Sequence, residues 1–227
     1  MAKLPAMART ALVMGANRGI GLALCRRLKE GGREVIAVCR KTSAGLDALG
    51  VRVETGVDVR SDEAVAGLAG RLKDLPLDEL ICSAGILRDD DLDDRAYDDI
   101  RAQLEVNAIA PLRVVAALHR NIRRGGKIAL ITSRMGSIGD NGSGGHYGYR
   151  MSKAALNAAG MSLARDLASS GIVVAILHPG YVRTDMTEGN GNIDPADAAK
   201  QLVERIDALT PETSGTFWHA NGQVLPW

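Results

Sequence analysis

The sequence predicts an α/β protein with a doubly wound parallel sheet of about seven strands and helices on both faces. Short apolar runs alternate along the chain with longer stretches of helical pattern, as in sheets whose parallel strands are linked by helices. Aromatic residues make up only 3% of the chain and glycine supplies 26 residues, which favours helices packed closely on a buried sheet. No linker or internal repeat interrupts the alternation, so residues 1–227 are predicted to form a single domain.

Length, charge and composition exclude several classes of protein. The chain has 227 residues, 46% of them hydrophobic, and a formal net charge of +1, which does not favour nucleic acid or an acidic membrane surface as a partner. The apolar runs are too short to cross a bilayer, and residues 1–9 lack the apolar segment of a signal peptide. Cys25, Cys39 and Cys82 have no paired spacing, so we expect a cytoplasmic protein with reduced thiols and no metal site.

A glycine-rich turn follows the first predicted strand. Residues 10–14 form an apolar run that leads into Gly15, Gly19 and Gly21, and a helical stretch then continues to about Glu30. Glycines let a backbone approach a pyrophosphate closely, and a helix N-terminus offers free N–H groups and positive partial charge. Strand, glycine turn and helix in this order predict a dinucleotide site; a tight turn without ligand is the alternative.

The second predicted strand, residues 34–39, ends at two cations. Arg40 and Lys41 follow it, at the place where dinucleotide folds meet the adenosine ribose. An acid there binds the 2′-hydroxyl of NAD, whereas an arginine accommodates the 2′-phosphate of NADP. Arg18 in the glycine turn adds a third positive charge. The sequence therefore predicts a preference for NADP(H) over NAD(H), with a solvated basic loop as the alternative.

The middle of the chain continues the alternation of helices and strands. The elements predicted there are a helix at 44–49, a strand at 51–54, a helix from Ser61 to about Leu72, and a strand at 77–82. Seven aspartates between Arg88 and Asp99 are interpreted as a solvated loop and helix start. One long helix is predicted over 96–123, kinked where Asn107 and Pro111 interrupt it.

The last part of the chain repeats the pattern. Its predicted elements are a strand at 127–132, a loop at 134–146, a helix containing Tyr149 that ends near Ser169, a strand at 172–177, a helix at 195–209 and a strand at 215–220. The loop carries five glycines and is predicted to be mobile. Ligands of a doubly wound sheet bind outside the C-terminal ends of its strands, so we expect the site there.

Tyr149 and Lys153 form the most informative pair of residues. Their spacing of four places them on one face of a helix, about 6 Å apart along its axis. A nearby ammonium favours the phenolate and lowers a tyrosine pKa, which suits proton exchange with an alcohol or carbonyl near neutral pH. Alone this spacing often arises by chance, and a surface pair on a helix is the alternative.

These residues together resemble the short-chain dehydrogenase/reductase family, in its short single-domain subtype, over nearly the whole chain. The motifs that carry the resemblance are Met14-Gly15-Ala16-Asn17-Arg18-Gly19-Ile20-Gly21, Asp58-Val59, Cys82-Ser83-Ala84-Gly85, Asn107, Ser133, Tyr149 with Lys153, and Pro179-Gly180-Tyr181-Val182-Arg183-Thr184-Asp185. Met14 replaces a threonine of the family pattern, and Cys82 and Ser83 replace two asparagines. Residues 133–140, the Gly-Gly-His-Tyr stretch and the Pro-Trp end look closest to the C-factor and Sniffer-like carbonyl reductase group.

The resemblance implies a Rossmann fold and an NADPH-dependent enzyme that reduces an aldehyde or ketone to an alcohol, or catalyses the reverse. Ser133 would hold the substrate oxygen and Tyr149 would exchange a proton with it. Lys153 would lower the pKa of Tyr149 and hold the nicotinamide ribose, and Asn107 would hold a water that links Lys153 to solvent. Ser133 is favoured over Ser137 because it directly follows a predicted strand, where a side chain is well held.

The resemblance also implies a cofactor site and an assembly. The cofactor-binding residues it implies are Gly15, Asn17, Arg18, Gly19, Ile20, Gly21, Arg40, Lys41, Asp58, Val59, Ser83, Ala84, Gly85, Tyr149, Lys153, Pro179, Gly180, Val182 and Thr184. In the family, the helices that hold Asn107 and Tyr149 pack against a partner's copies. Small residues at 154, 155 and 158–160 would let helices approach closely, so a homodimer or homotetramer is expected.

Two other functions are open at this point. A nucleotide-binding regulatory or signalling protein on the same fold would bind the cofactor with weak or incidental catalysis, but binding alone does not need all four catalytic residues. A sugar-nucleotide epimerase or dehydratase would need a C-terminal substrate domain, and only 47 residues follow Gly180. The substrate itself is not indicated, although the short segment between Thr184 and Asp194 predicts a small lid.

Overall fold

The computed structural model describes residues 8–93 and 96–227. In this part of the chain, seven parallel strands form one sheet in the order β3-β2-β1-β4-β5-β6-β7. The strands are β1 (Thr10–Met14), β2 (Glu34–Val38), β3 (Arg52–Glu54), β4 (Leu77–Cys82), β5 (Ile122–Ile131), β6 (Val173–His178) and β7 (Phe217–His219). The predicted doubly wound parallel sheet is confirmed.

Helices cover both faces of the sheet. They are α1 (Gly19–Glu30), α2 (Ala44–Asp47), α3 (Asp62–Arg71), α4 (Tyr97–Leu104), α5 (Ala110–Leu118), α6 (Tyr147–Asp166) and α7 (Pro195–Asp207). Apolar side chains of α1 and α7 pack on one face, and those of α3, α5 and α6 pack on the other. Successive residues of each strand contribute to opposite faces, as a pleated strand requires: Leu12 and Met14 join one cluster and Ala11 and Val13 the other.

The strand order reverses beside β1, and this reversal creates the crevice for a ligand. Strand β1 pairs with β2 on one side and with β4 on the other, and Met14 lies level with Cys82 at the C-terminal end of both strands. The turns that follow β1 and β4 therefore leave the sheet side by side, and Ser83 N–H donates to Met14 O at 3.1 Å. The glycine turn and the Ser83–Ala84–Gly85 segment meet for this reason.

The long helix predicted over 96–123 is irregular at Asn107, as expected, but its α-helical part ends earlier than predicted. Helix α4 gives way to a π-helical turn (Glu105–Ile109) that contains Asn107, and α5 then ends at Leu118. The side chain of Asn121 donates to the carbonyl oxygens of Leu72 and Leu75, which holds the chain as it enters the sheet. Strand β5 consequently begins five residues before the predicted start, with an irregularity in its pairing to β4.

The described helices include none that is both long enough and apolar enough to cross a membrane. The longest, α6, has 20 residues, and one of its faces carries the polar side chains of the candidate site. Its exposed surface is mixed, with Arg165 and Asp166 near its end and the apolar Met151 near its start.

The small residues of α6 have two different environments. Gly160 is buried against the sheet, where a Cβ atom would lie 2.8 Å from Ile176 Cδ1 and 3.0 Å from Leu130 Cδ1. Ala155 also packs against the core, whereas Ala158 is exposed. The expectation that all these residues serve a partner helix is therefore corrected for Gly160 and Ala155, whose small size lets α6 approach its own sheet.

We predict that Gly160→Ala lowers the free energy of unfolding by about 1–2 kcal/mol, because overpacking typically costs about 1–3 kcal/mol and helix propensity returns at most about 1. The matched control is Gly67→Ala in α3, where the nearest atom to the new methyl group is Arg71 Nη1 at 3.6 Å. This variant should gain about 0.5–1 kcal/mol. Urea unfolding measures both, and changes of the same sign would contradict the packing described for α6.

Candidate active site

A cavity of about 370 Å³ opens at the C-terminal ends of the central strands. Its wall contains most of the residues that the sequence assigned to a cofactor, and these are Gly15, Asn17, Arg18, Gly19, Ile20, Gly21, Arg40, Asp58, Val59, Ser83, Ala84, Gly85, Tyr149, Lys153, Pro179 and Thr184. Residues from seven segments of the chain meet here because the parallel strands all end at the same edge of the sheet.

The glycine turn has the geometry that an extended anionic ligand needs. Gly15 has a φ of +79°, and a Cβ atom there would lie 2.7 Å from the backbone of Ala84, so only glycine permits this close approach of the two turns. No side chain caps the N-terminus of α1, and no acidic residue lies in its first turn. The positive end of this helix therefore faces the cavity without a compensating carboxylate.

Basic side chains surround one end of the cavity. Arg40 and Arg60 line it together with Asp58, and hydrogen bonds from Arg60 hold the pKa of the Asp58 carboxyl down, at about 2. Arg18 donates to Asp185 Oδ2 at 3.1 Å across the cavity, so in this structure its partner is a carboxylate of the opposite wall. Arg40 forms no ion pair with the described residues, which leaves its guanidinium available for a ligand anion.

Tyr149 and Lys153 are both buried on the first turns of α6, with exposed fractions of 8% and 4%. Lys153 Nζ lies 5.7 Å from the centre of the Tyr149 ring and donates to Ile131 O at 3.0 Å. Burial lowers the pKa of Lys153 to about 8. Burial also raises the pKa of Tyr149 to about 12, against a smaller opposite effect of its hydrogen bond with Ser133.

The expected lowering of the Tyr149 pKa by Lys153 is therefore corrected. Desolvation disfavours the charged form of both groups, and it dominates here because both side chains are buried. The phenol keeps its proton over the neutral range, and the ammonium loses part of its charge at a pH only slightly above neutral.

The two candidate serines differ in what they contact. Ser133 Oγ accepts a hydrogen bond from Met135 N–H at 3.2 Å and bonds to Tyr149. Ser137 Oγ accepts from Asp140 N–H at 3.1 Å and belongs to the turn that leads away from the strand. Both are buried, but only Ser133 reaches the tyrosine, as its position directly after the strand had indicated.

Asn107 is fully buried behind the cavity wall, and both the oxygen and the nitrogen of its carboxamide form hydrogen bonds. Its Oδ1 accepts from Ile86 N–H at 2.8 Å, and its Nδ2 donates to Ile86 O at 2.8 Å and to Ser152 Oγ at 3.0 Å. A Cβ atom at Gly85 would lie 3.2 Å from Asn107 Oδ1 and 3.7 Å from Lys153 Nζ. The water-holding role that the resemblance implies stays a prediction, and it would fall to the main chain, since both side-chain N–H groups already have acceptors.

Three residues of the expected cofactor set do not line the cavity. These residues are Lys41, Gly180 and Val182. The buried Val182 instead pairs with Ile193 in an isolated parallel bridge, which supports the segment from below. Gly180 and Val182 belong to a family motif of which Pro179, Thr184 and Asp185 line the cavity, and sequence alone does not show which residues of the motif do so.

Sequence reasoning missed several residues of the wall, and these are Arg60, Ile86, Arg88, Ala102, Val106, Asp185 and Met186. Ala102 and Val106 are four positions apart on α4 and its π-helical turn, so helical periodicity would have placed them on one face together. Arg60, Asp185 and Met186 directly follow residues that were singled out. For Ile86 and Arg88 no local signal existed, because their segment has no regular secondary structure.

The residues present fit a dinucleotide. The glycine turn, the open N-terminus of α1 and the guanidinium of Arg40 match a diphosphate and a ribose phosphate, and the apolar side chains of Val59 and Val106 also line the cavity. Within 8–93 and 96–227, no three His, Cys, Asp or Glu side chains cluster as metal ligands.

Comparison with known sequences agrees with this geometry. Residues 9–193 match the family described as short chain dehydrogenase. The 1-hydroxy-2-glutathionyl-2-methyl-3-butene dehydrogenase of Rhodococcus sp. (strain AD45) is 45% identical over 224 residues, which cover 96% of this chain and 99% of that enzyme. The C-signal protein of Myxococcus xanthus is 42% identical over 160 residues, which cover 67% of this chain and 93% of that protein.

Solved structures give the same result. The carbonyl reductase Sniffer of D. melanogaster superposes with a TM-score of 0.90 at 29% identity, over 97% of this chain and 100% of that chain. An NADPH-bound carbonyl reductase from chicken fatty liver superposes with a TM-score of 0.87 at 28% identity, over 97% of this chain and 99% of that chain. The resemblance to Sniffer-like carbonyl reductases is thus found in sequence and in structure.

Proposed function

Because this chain belongs to the short-chain dehydrogenase family, we propose that it is an NADPH-dependent oxidoreductase that reduces an aldehyde or ketone to an alcohol, or catalyses the reverse reaction. The family itself is one of oxidoreductases, and the chain matches it over residues 9–193. The carbonyl substrate is supported by the structural likeness to two carbonyl reductases. The cofactor choice and the residue roles rest on the cavity described above.

One observation carries the proposal: Tyr149 and Lys153 are buried together, one helical turn apart, in the wall of the cavity that the glycine turn also lines. Burying an ammonium is costly, and an unpaired one is rarely kept for stability alone. A protonated phenol with a positive charge nearby is instead what carbonyl reduction requires, because negative charge develops on the oxygen that receives the proton.

The roles of the residues follow from their contacts. Bound NADPH supplies the hydride that reduces the carbonyl carbon. Ser133 Oγ accepts the Met135 N–H, and its hydroxyl proton, which is directed at Tyr149 here, would turn to the substrate oxygen. Tyr149 gives that oxygen its proton, and since its pKa lies near 12 the phenol is fully protonated beforehand. Lys153, mostly charged at neutral pH, offsets the phenolate that forms and offers donors to the nicotinamide ribose.

The preference for NADP(H) is proposed on the basic end of the cavity. Arg40 lines the cavity without a carboxylate partner among the described residues, and no acid occupies the position that would bind a 2′-hydroxyl. Arg60 adds a second guanidinium there, although Asp58 holds it. Arg18 would have to leave Asp185 to reach the same phosphate, so we assign the main role to Arg40.

Self-association is proposed on the exposed apolar side chains of two neighbouring helices. The surfaces of α5 and α6 and of the turn before α5 expose large apolar side chains, among them Ile109 (47%), Leu112 (44%) and Met151 (50%). Exposed apolar side chains on neighbouring helices favour contact with a second copy, so we retain the homodimer or homotetramer. A cytoplasmic location also stays a prediction.

A regulatory protein remains the second candidate, because the C-signal protein of Myxococcus xanthus is 42% identical to this chain. The two candidates separate in a single assay. An oxidoreductase consumes NADPH with a panel of aldehydes, ketones and quinones, whereas a regulatory protein binds NADPH tightly without turnover. The panel should include a glutathionyl-substituted alcohol with NADP⁺, because the Rhodococcus relative is named as a dehydrogenase of such a compound.

We predict that Tyr149→Phe abolishes turnover and leaves the NADPH dissociation constant within about twofold, because the ring and its packing remain while the proton donor is removed. The matched control is Tyr147→Phe, the same change two residues earlier at a side chain that is 40% exposed. The control should retain full activity. Loss of NADPH binding or of folding in Tyr149→Phe would return this residue to a structural role.

For the serines, Ser133→Ala should lower kcat by about 10²–10³-fold with little change in NADPH affinity, as expected for loss of a donor to a developing oxyanion. Ser137→Ala should lower kcat by less than about tenfold, because Ser137 bonds only within its own turn. Steady-state kinetics on both variants give the ranking. The reverse ranking would show that the catalytic serine has been assigned to the wrong position.

For cofactor choice, the wild type should use NADPH with a higher kcat/KM than NADH. Arg40→Asp should lower kcat/KM for NADPH by roughly 10–100-fold, since a hydrogen bond to a charged group is worth about 1.5–3 kcal/mol. Arg26→Asp, the same charge reversal on the exposed surface of α1, should change neither value. Equal kcat/KM for NADPH and NADH in the wild type would refute the preference.

A further inference from the structure

The segment that follows β4 is held in place by side chains rather than by a neighbouring strand. Ile86 exchanges two hydrogen bonds with the carboxamide of Asn107, and Arg88 exchanges two with the carboxamide of Gln103, at 3.0 and 3.2 Å. A carboxamide offers a donor and an acceptor side by side, so it pairs with a peptide as another peptide would. Both amides are fully buried, and they fix alternate residues of this segment.

Asp90 is the next alternate residue after Ile86 and Arg88, and it connects this segment to α6. Its carbonyl oxygen accepts from His146 N–H at 3.0 Å, and its carboxylate Oδ2 accepts from Gly148 N–H at 2.9 Å. The residue is 7% exposed, and its other oxygen, Oδ1, is buried without a partner in the described part of the chain. A buried carboxylate with a single hydrogen bond is costly, so something specific must compensate for it.

The compensation lies in the N-terminus of α6. The residue before this helix, His146, adopts a left-handed conformation with a φ of 50° and gives no side-chain cap, and the first turn contains no acid. The free N–H groups of that turn attract a carboxylate. Asp90 provides it from 58 residues away in the chain, and thus acts as the missing cap.

The contact between Asp90 and Gly148 leaves no space for a side chain at position 148. A Cβ atom there would lie 2.6 Å from Gln103 Nε2, 2.8 Å from Asp90 Oδ2 and 3.0 Å from Ile100 Cα, so only glycine allows the first turn of α6 to reach these groups. The next residue is Tyr149. The position of the phenol along the helix is therefore set by a contact one residue away.

We propose that Asp90 is a positioning residue, which fixes the first turn of α6 and thereby holds Tyr149 against the cavity. This inference rests on the proposed function, because it assigns to Asp90 an effect on the step that Tyr149 performs. Asp90 is not part of the cavity wall; it acts through the N–H group of Gly148. Catalysis is sensitive to displacements of about 1 Å, which can cost up to roughly 100-fold in rate.

The test compares Asp90→Ala with Asp90→Asn and with Asp89→Ala. Asp90→Ala should lower kcat by about 10–100-fold, with the KM for the carbonyl and the NADPH dissociation constant within about twofold, because the cavity wall around the cofactor is unchanged. Asp90→Asn should recover kcat to within about threefold, since asparagine and aspartate are nearly equal as caps. Asp89 is the control on the same segment: its carboxylate is 79% exposed and pairs with His146 Nδ1 at 3.0 Å. An exposed ion pair contributes little, so the alanine variant of Asp89 should behave as the wild type.

Amide hydrogen exchange supplies a readout that does not depend on activity. Exchange in peptides covering residues 146–150 should become faster in Asp90→Ala and stay unchanged in Asp90→Asn and Asp89→Ala. If Asp90→Ala does not fold, Asp90→Ser replaces it, because a serine hydroxyl is too short to reach the Gly148 N–H. Asp90→Ser should then show the loss of kcat that is expected for Asp90→Ala.

The outcomes separate this inference from the proposed function. Full activity of Tyr149→Phe would refute the proposed function and, with it, the role of Asp90. Inactive Tyr149→Phe together with wild-type kcat in Asp90→Ala would overturn the positioning role alone. An equal loss of kcat in Asp90→Asn and Asp90→Ala would also overturn it, because the amide oxygen keeps the hydrogen bond on which the role depends.

Discussion

The direct pairing of β1 with β4 is the constraint on which the rest of this structure depends. Their register brings Met14 level with Cys82, so the glycine turn and the Ser83–Ala84–Gly85 segment leave the sheet in contact. That contact leaves no space for a side chain at Gly15. It also opens the crevice at the reversal of strand order, where ligands of such sheets bind. The cavity, its basic end and the buried tyrosine are all arranged around this one pairing.

Two opposing effects set the chemistry of the pair on α6. The charge of Lys153 favours the phenolate of Tyr149, while burial disfavours every charged form, and in this structure burial prevails for both groups. As a result, the phenol of Tyr149 keeps its proton, and the ammonium of Lys153 loses its proton more readily than it would in water. This state suits a proton donor, and the negative charge of a bound cofactor would favour both the ammonium of Lys153 and the protonated phenol of Tyr149.

Amide side chains pair with the backbone of the segment that follows β4, where no neighbouring strand is present. Beyond Cys82 the chain has no neighbouring strand, yet the peptide groups of Ile86 and Arg88 are paired with the carboxamides of Asn107 and Gln103. The π-helical turn that contains Asn107 lies directly after the turn of α4 that ends with Gln103 and Leu104. The wall of the cavity is therefore as firmly held as a strand, although it has the backbone of a loop.

The sequence by itself determined the features that depend on neighbouring residues. The alternation of strands and helices, the glycine turn after β1, the cations after β2 and the helical spacing of Tyr149 and Lys153 are local patterns, and the predicted sheet and family are confirmed. The tertiary structure alone decided the burial that raises the pKa of Tyr149, the pairing of Arg18 with Asp185, and the cap that Asp90 gives to α6. These depend on which distant side chains meet and how much water they exclude, and no local pattern records either quantity.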